Sequence, residues 1–325
     1  MRVKSGTPEG SIISPLFFAL FVNEFPLMIK NSCLMFADDI KIFSEIVCHD
    51  DTSRLQNDLT VLSEWSKTWR LKLNASKCQT FTITLRRDPI VSIYCIDNTS
   101  LNKVDKIRDL GVTFDSTLTF CKHIDIVVSK ANRIMGIIMR SMQTGYKRGN
   151  FNWKPILTAY YGNVRSILEY CCVIWGGAAK SNLDRLDKIQ HRFLHWLYCY
   201  VWRRGLPFIT DYHDLLQCFG VTRLENRRQQ YDIMFVTKLY NGYSDCSLLL
   251  AQFPLYVAPR STRRTERTRG IMNVPFARVE AVKRSLFVRA PMHLNQMMFK
   301  RNDIDLFHDP LGQSRKKIIS YIKEL

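Results

Sequence analysis

Two adjacent aspartates, Asp38 and Asp39, stand between two short apolar runs, Leu34-Met35-Phe36 and Ile40-Lys41-Ile42-Phe43. Adjacent carboxylates repel each other, so the pair is costly unless a cation shares it. Mg²⁺ suits such a pair, because it takes hard oxygen ligands, usually one or two carboxylates, and fills its other positions with water and substrate phosphate. That is the chemistry of phosphoryl transfer. The same two residues also make an ordinary hairpin turn, and on their own identity both readings stand. A second candidate is the loop Ser5-Gly6-Thr7-Pro8-Glu9-Gly10-Ser11, which leads into a helix start and could present backbone N–H groups to phosphate. A third is the cluster Arg260, Arg263, Arg264, Arg267 and Arg269, interleaved with threonine and carrying only Glu266 as counter-charge. It suits phosphate contacts or a solvated basic loop. His191, His195 and Cys199 fall at four-residue steps and would share a helix face, as zinc ligands or as packed side chains.

Periodicity gives the elements that must position these groups. Ser14-Pro15 supplies an N-cap and a first-turn proline for a helix through Leu16, Phe17, Leu20 and Phe21. Residues 34–36 and 40–43 form a hairpin around the aspartates. A second helix spans about 51–69, with Leu55, Leu59, Leu62, Trp65 and Trp69 at three- and four-residue steps. Residues 80–85 read as a strand, and 109–115 as a strand interrupted by the permissive Gly111. From His123 onward the pattern is helical, over 126–139, 156–175, 183–202 and 225–240, with turn signals between. The stretch after Pro254 is the most basic and the least regular.

The chain of 325 residues, 46% hydrophobic and 12% aromatic, can bury a substantial core, which excludes a disordered tail. Its net charge of +18 is unevenly spread. Residues 1–130 hold 16 Lys/Arg against 15 Asp/Glu, so nearly all the excess lies in the remainder. A basic excess confined to one part implies a polyanion partner there, either nucleic acid or an anionic membrane surface. The ten cysteines show no CxxC spacing, which points to free thiols in a reducing compartment. The apolar run 12–22 contains Pro15 and is too short to span a bilayer. The expectation is an intracellular protein, nuclear or cytoplasmic, with no signal peptide and no membrane partner.

In this order the segments resemble the reverse transcriptase domain of non-LTR, LINE-type retrotransposons, especially the jockey-like group. Ser5 to Ser11, continuing to Ser14-Pro15-Leu16-Phe17 and Leu20-Phe21-Val22-Asn23, looks like that family's template- and nucleotide-positioning motif. Phe36-Ala37-Asp38-Asp39 looks like the catalytic box, and Leu55-Gln56-Asn57-Asp58-Leu59, Trp65, Leu73-Asn74 and Lys77-Cys78 follow it. Asp109-Leu110-Gly111-Val112 resembles the primer-grip hairpin. Ile167-Leu168-Glu169-Tyr170, Val173-Ile174-Trp175 and Leu186 to Phe193 resemble the helical region beyond the palm.

The resemblance implies an α+β fold: a partial polymerase palm of antiparallel hairpins with helices over 1–122, a helical thumb-like region over 123–253, and a basic C-terminal region over 254–325. It implies RNA-directed DNA polymerase activity, by two-metal nucleotidyl transfer onto a primer 3′ hydroxyl, with Asp38 and Asp39 as catalytic metal ligands for Mg²⁺. Lys77 would neutralise or protonate the leaving pyrophosphate, or is a solvated lysine. Gly6, Pro8, Glu9, Gly10, Phe36 and Ala37 would contact template or nucleotide, and Leu110, Gly111 and Val112 the primer. RNA template and DNA primer are the implied partners, with other element-encoded proteins as further candidates. Two departures qualify this. Glu9 stands where the family has glutamine, and the family's first catalytic aspartate and fingers lie upstream of the segment at which this chain starts. The expectation is therefore an impaired enzyme with an incomplete two-ion site. A non-catalytic nucleic-acid-binding remnant, or a co-opted protein, is the alternative.

Overall fold

Pro15 lies in the first turn of helix α1, Ser14–Val22, and the short α2, Phe25–Met28, follows it. Ser14 does not cap α1 as its sequence context predicts. Ile13 holds the cap position with φ −87° and ψ −20°, so the chain is already helical before Ser14, whereas a capping residue needs extended dihedrals. The computed structural model describes residues 10–143, 152–201, 209–256, 271–301, 303–305 and 309–325. The chain is α+β and divides into two units, one drawn from Met1–Arg108 and Asp115–Leu118, the other from Asp109–Phe114 and Thr119–Leu325.

In the first unit, β1 (Ser32–Phe36) and β2 (Asp39–Phe43) pair antiparallel, with Phe36 opposite Asp39. Helix α3, His49–Thr68, lays Leu59, Leu62 and Trp65 against Val22, Phe25 and Ile29, and the Phe25 and Trp65 rings lie 5.1 Å apart. Cys33, Met35, Ile40 and Ile42 of the hairpin join the same cluster, as does Cys78. Short strands complete the unit. β3 (Gln79–Phe81) pairs parallel with β6 (Asn102–Val104), and β4 (Cys95–Ile96) pairs antiparallel with β5 (Thr99–Ser100). The strand expected over 80–85 stops early, because the Thr84 N–H turns to the Ser116 carbonyl at 3.0 Å instead of extending the ladder. The parallel β3–β6 pair departs from the expectation of antiparallel hairpins alone. The hairpin of β7 (Lys106–Asp109) and β8 (Val112–Asp115) turns through Leu110 and Gly111, at φ +42° and +86°.

The second unit is helical. It contains α4 (Cys121–Gln143), α5 (Lys154–Tyr160), a π-helical turn (Tyr161–Arg165), α6 (Ser166–Glu169) and α7 (Cys172–Trp175). After these come α8 (Lys180–Val201), α9 (Tyr212–Phe219), α10 (Leu224–Tyr240), α11 (Ser247–Leu250), α12 (Glu280–Lys283), α13 (Leu286–Lys300) and α14 (Leu311–Glu324). The single helix expected over 156–175 is broken at Cys171, whose φ is +53°, and the Trp175 indole donates to the Tyr170 carbonyl at 2.8 Å across the break. One apolar core gathers α4, α5, α8 and α9 around Tyr160, Trp175, Phe193 and Leu197. A second packs Ile233, Val236 and Leu239 of α10 against Leu294 and Met297 of α13 and Ile318 and Ile322 of α14. In the stretch after Pro254 the described residues include the helices Glu280–Lys283, Leu286–Lys300 and Leu311–Glu324. Gly177 permits one close approach in this unit, since a Cβ there would collide with the Arg284 carbonyl.

Candidate functional site

The aspartates cap a hairpin that is fixed from below. Asp58, fully buried in α3, accepts from the Lys30 and Asn31 backbone N–H groups at 3.1 and 2.9 Å and from the Asn31 amide at 2.7 Å, immediately before β1. Gln56, two residues earlier, donates to the Cys95 carbonyl and accepts from the Cys95 N–H, both at 2.9 Å. Helix α3 itself starts on a cap in which Asp51 accepts from the Val47 and Cys48 N–H groups at 2.8 and 2.9 Å. Those bonds hold the Asp51 carboxyl well below the ordinary carboxylate range.

At the hairpin end, Ala37 takes φ +53°, Asp38 occupies the turn and Asp39 is the first residue of β2. Both carboxylates are exposed, as are Ala37 and Phe36. Phe36 shares the outward face of the sheet with Leu34, and the two are about 60% exposed. Lys77 is also exposed, in a turn closed by its N–H to the Asn74 carbonyl at 3.0 Å, next to Cys78 in the cluster that the hairpin shares. Gly10 takes φ +80°. Gly6, Pro8 and Glu9 lie outside the described residues, as do Arg260, Arg263, Arg264, Arg267 and Arg269.

The segment Leu110-Gly111-Val112 belongs to the second unit and is fixed within it. The Tyr170 hydroxyl donates to the Leu110 carbonyl at 2.9 Å, and its ring lies so near Gly111 that a Cβ would come within 3.2 Å of it. Val112 is buried among the residues of that unit's core, and the Thr113 N–H donates to His123 Nδ1 at 3.3 Å. Behind Tyr170, Glu169 accepts two bonds from Arg227, at 2.8 and 2.6 Å, and one from the Tyr231 hydroxyl at 2.9 Å. Burial, aided by Glu169, pushes the Tyr231 hydroxyl up to about 12.

Of His191, His195 and Cys199 on α8, His191 Nε2 lies 3.1 Å from the Thr210 carbonyl, and His195 Nδ1 lies 4.0 Å from Cys199 Sγ. Among the described residues, no group of three His, Cys, Asp or Glu side chains is placed to hold a metal ion. All ten cysteines are free thiols. No helix among the described residues is long and apolar enough to cross a membrane. Reading the sequence for reactive residues missed the positioning group Asp58, although a charged residue on the apolar stripe of an amphipathic helix was a usable signal. It also missed Tyr170, whose role depends on a contact 60 residues away in sequence.

Residues 1–114 match the family described as reverse transcriptase (RNA-dependent DNA polymerase). That stretch is similar to a reverse transcriptase domain. The chain is 28% identical over 197 residues to a probable RNA-directed DNA polymerase from transposon X-element of Drosophila melanogaster, covering 59% of this chain and 21% of that protein. It is 28% identical over 220 residues, 64% of this chain and 24% of the relative, to the corresponding protein from transposon BS of the same species. To the RNA-directed DNA polymerase from mobile element jockey of Drosophila funebris it is 26% identical over 210 residues, 59% of this chain and 22% of the relative. The chain therefore spans about a fifth to a quarter of the length of the curated relatives it matches. No solved structure matches it. Asp38, Asp39, Lys77 and Leu110 to Val112 all fall inside the matched reverse-transcriptase segment.

Proposed function

We propose that this chain is part of the RNA-directed DNA polymerase of a jockey-like non-LTR retrotransposon, its first unit contributing palm elements and its helical unit a thumb that holds RNA template and DNA primer. The observation that carries this reading is the exposed Asp38-Asp39 pair on a hairpin anchored by Asp58, inside the segment that matches reverse transcriptases.

The donors fit Mg²⁺ in kind. Two neighbouring exposed carboxylates leave coordination positions for water and phosphate, as that ion prefers. Among the described residues no third acidic, His or Cys side chain joins them in a group placed to hold a metal. A metal ion held at such carboxylates stabilises the attacking and leaving oxygens of an in-line phosphoryl displacement. Asp38 would hold the ion and Asp39 would support it. Lys77 offers its ammonium to the leaving pyrophosphate, Gly6, Pro8, Glu9 and Gly10 with Phe36 and Ala37 line the template and incoming nucleotide, and Leu110 to Val112 steady the primer end. Arg260, Arg263, Arg264, Arg267 and Arg269 supply phosphate contacts. With a partial ligand set, nucleotide incorporation by this chain alone is slow. Primer extension on an RNA template with Mg²⁺, beside an Asp38→Ala control, tests the reading: Asp38-dependent incorporation supports it, and salt-sensitive nucleic-acid binding with none points to a non-catalytic remnant.

A further inference from the structure

We propose that Arg227 of α10 and Arg289 of α13 are positioning residues for the Leu110-Gly111-Val112 turn, which they fix through the broken helical segment 169–175. Their functional meaning rests on the reading of that turn as a primer contact.

Cys171 is left-handed, with φ +53°, a conformation that persists in a residue other than glycine only where its surroundings over-determine it. Here they do so on both sides. Before Cys171, buried Glu169 accepts from Arg227 Nε and Nη2 at 2.8 and 2.6 Å and from the Tyr231 hydroxyl at 2.9 Å. After it, Arg289 Nη2 donates to the Val173 carbonyl, and to the Cys172 carbonyl at 3.5 Å. That guanidinium is itself fixed from behind. Asp232, only 1% exposed, accepts from Arg289 Nε at 2.9 Å and from its Nη2 at 3.1 Å, while Nη1 donates to the Arg284 carbonyl at 2.9 Å. Gly177 leaves room for this, since a Cβ there would come within 2.8 Å of Nη1.

Tyr170 stands between the two arginine anchors and is half exposed. Its hydroxyl holds the Leu110 carbonyl and its ring lies against Gly111, so the anchored segment ends on the turn. Stability alone does not account for the anchors. A buried ion pair roughly breaks even against apolar side chains of the same volume, and what it can add is a defined geometry. Two such pairs, Glu169 with Arg227 and Asp232 with Arg289, converge on one short irregular segment. They also join the unit's two apolar cores. Ile233 and Ala290, next to Asp232 and Arg289 in sequence, lie in the core of α10, α13 and α14, whereas Leu168, Cys172 and Val112 lie in the other. The C-terminal helices thereby set where the turn sits.

The experiment is amide hydrogen exchange on the full chain without nucleic acid or nucleotide, for Tyr170→Ala, Arg289→Lys and the double variant. Arg289→Lys keeps a cation beside Asp232 and gives up the carbonyl contacts. Each single variant should raise exchange over residues 110–113 about tenfold, with α8 unchanged. The double variant should exceed Tyr170→Ala by less than about twofold, because both act along one path. Arg227→Lys, on the other anchor, should behave as Arg289→Lys does. Asp232→Leu/Arg289→Met removes both charges for apolar groups and should give the same local rise without lowering the thermal midpoint. Multiplying effects, about a hundredfold in the double variant, would overturn the assignment. So would unchanged protection of residues 110–113 in Arg289→Lys, or an equal rise across α8, the sign of general loosening. No arm needs nucleotide incorporation, so loss of the polymerase reading and loss of this one are told apart.

Discussion

Asp38 and Asp39 differ by one residue but belong to different local structures, the first to the turn and the second to the paired end of β2. The hairpin fixes where both backbones sit, and the carboxylates remain open to solvent. Two open carboxylates with no third ligand beside them among the described residues hold Mg²⁺ weakly. Isothermal titration of the chain with Mg²⁺ should therefore show no saturable binding in the micromolar range, and tight binding lost in Asp38→Ala would contradict the half-site. Tyr170 acts through Leu110 rather than on any substrate. Removing its hydroxyl in Tyr170→Phe deletes one hydrogen bond at a partly exposed site, about 1 kcal/mol. Faster amide hydrogen exchange over residues 110–113, with exchange across α8 unchanged, is the expected outcome, and protection equal to that of the unsubstituted chain would remove Tyr170 from the account.

Helix α3 carries the positioning load of the first unit, and it does so with polar groups. Asp58→Ala leaves the part-buried Lys30 and Asn31 donors without their acceptor, a loss of about 2 kcal/mol. Exchange over residues 30–43 should rise sharply, whereas Asp58→Asn, which keeps one acceptor, should fall between. The Asp51 cap adds a pH dependence with a definite sign. Its pKa is lowered in the folded chain, first by the backbone bonds from Cys48 and Val47, so its stabilisation is complete above the unfolded value of about 4 and is lost as pH falls below it. Protection of the first turn of α3 should drop below about pH 4, and Asp51→Asn should remove that acid step.

The aspartate hairpin and the long helices were legible in sequence because each follows a clean period: two apolar runs around a turn, and apolar residues at three- and four-residue steps. Three features were not. The break at Cys171 is bridged by a side-chain bond from the Trp175 indole to the Tyr170 carbonyl and has no glycine or proline to mark it. Strand β3 is cut short by a partner more than 30 residues away. Helices α13 and α14 are packed against α10, a long-range contact that local composition does not encode.

At the scale of the whole chain, charge and similarity both support the proposed nucleic-acid partner. The basic excess lies beyond residue 130, in the helical unit, while the first unit is nearly neutral and matches reverse transcriptases. That division suits a chain in which one part presents carboxylates for chemistry and the other holds a polyanion. Its central claim is that Asp38 belongs to a nucleotidyl-transfer site. The most direct test is single-nucleotide incorporation on an RNA template with a DNA primer and Mg²⁺, measured as an initial rate for the unsubstituted chain and for Asp38→Ala. The account predicts slow incorporation that falls at least about 100-fold in Asp38→Ala; template–primer binding without incorporation above that of Asp38→Ala would contradict it.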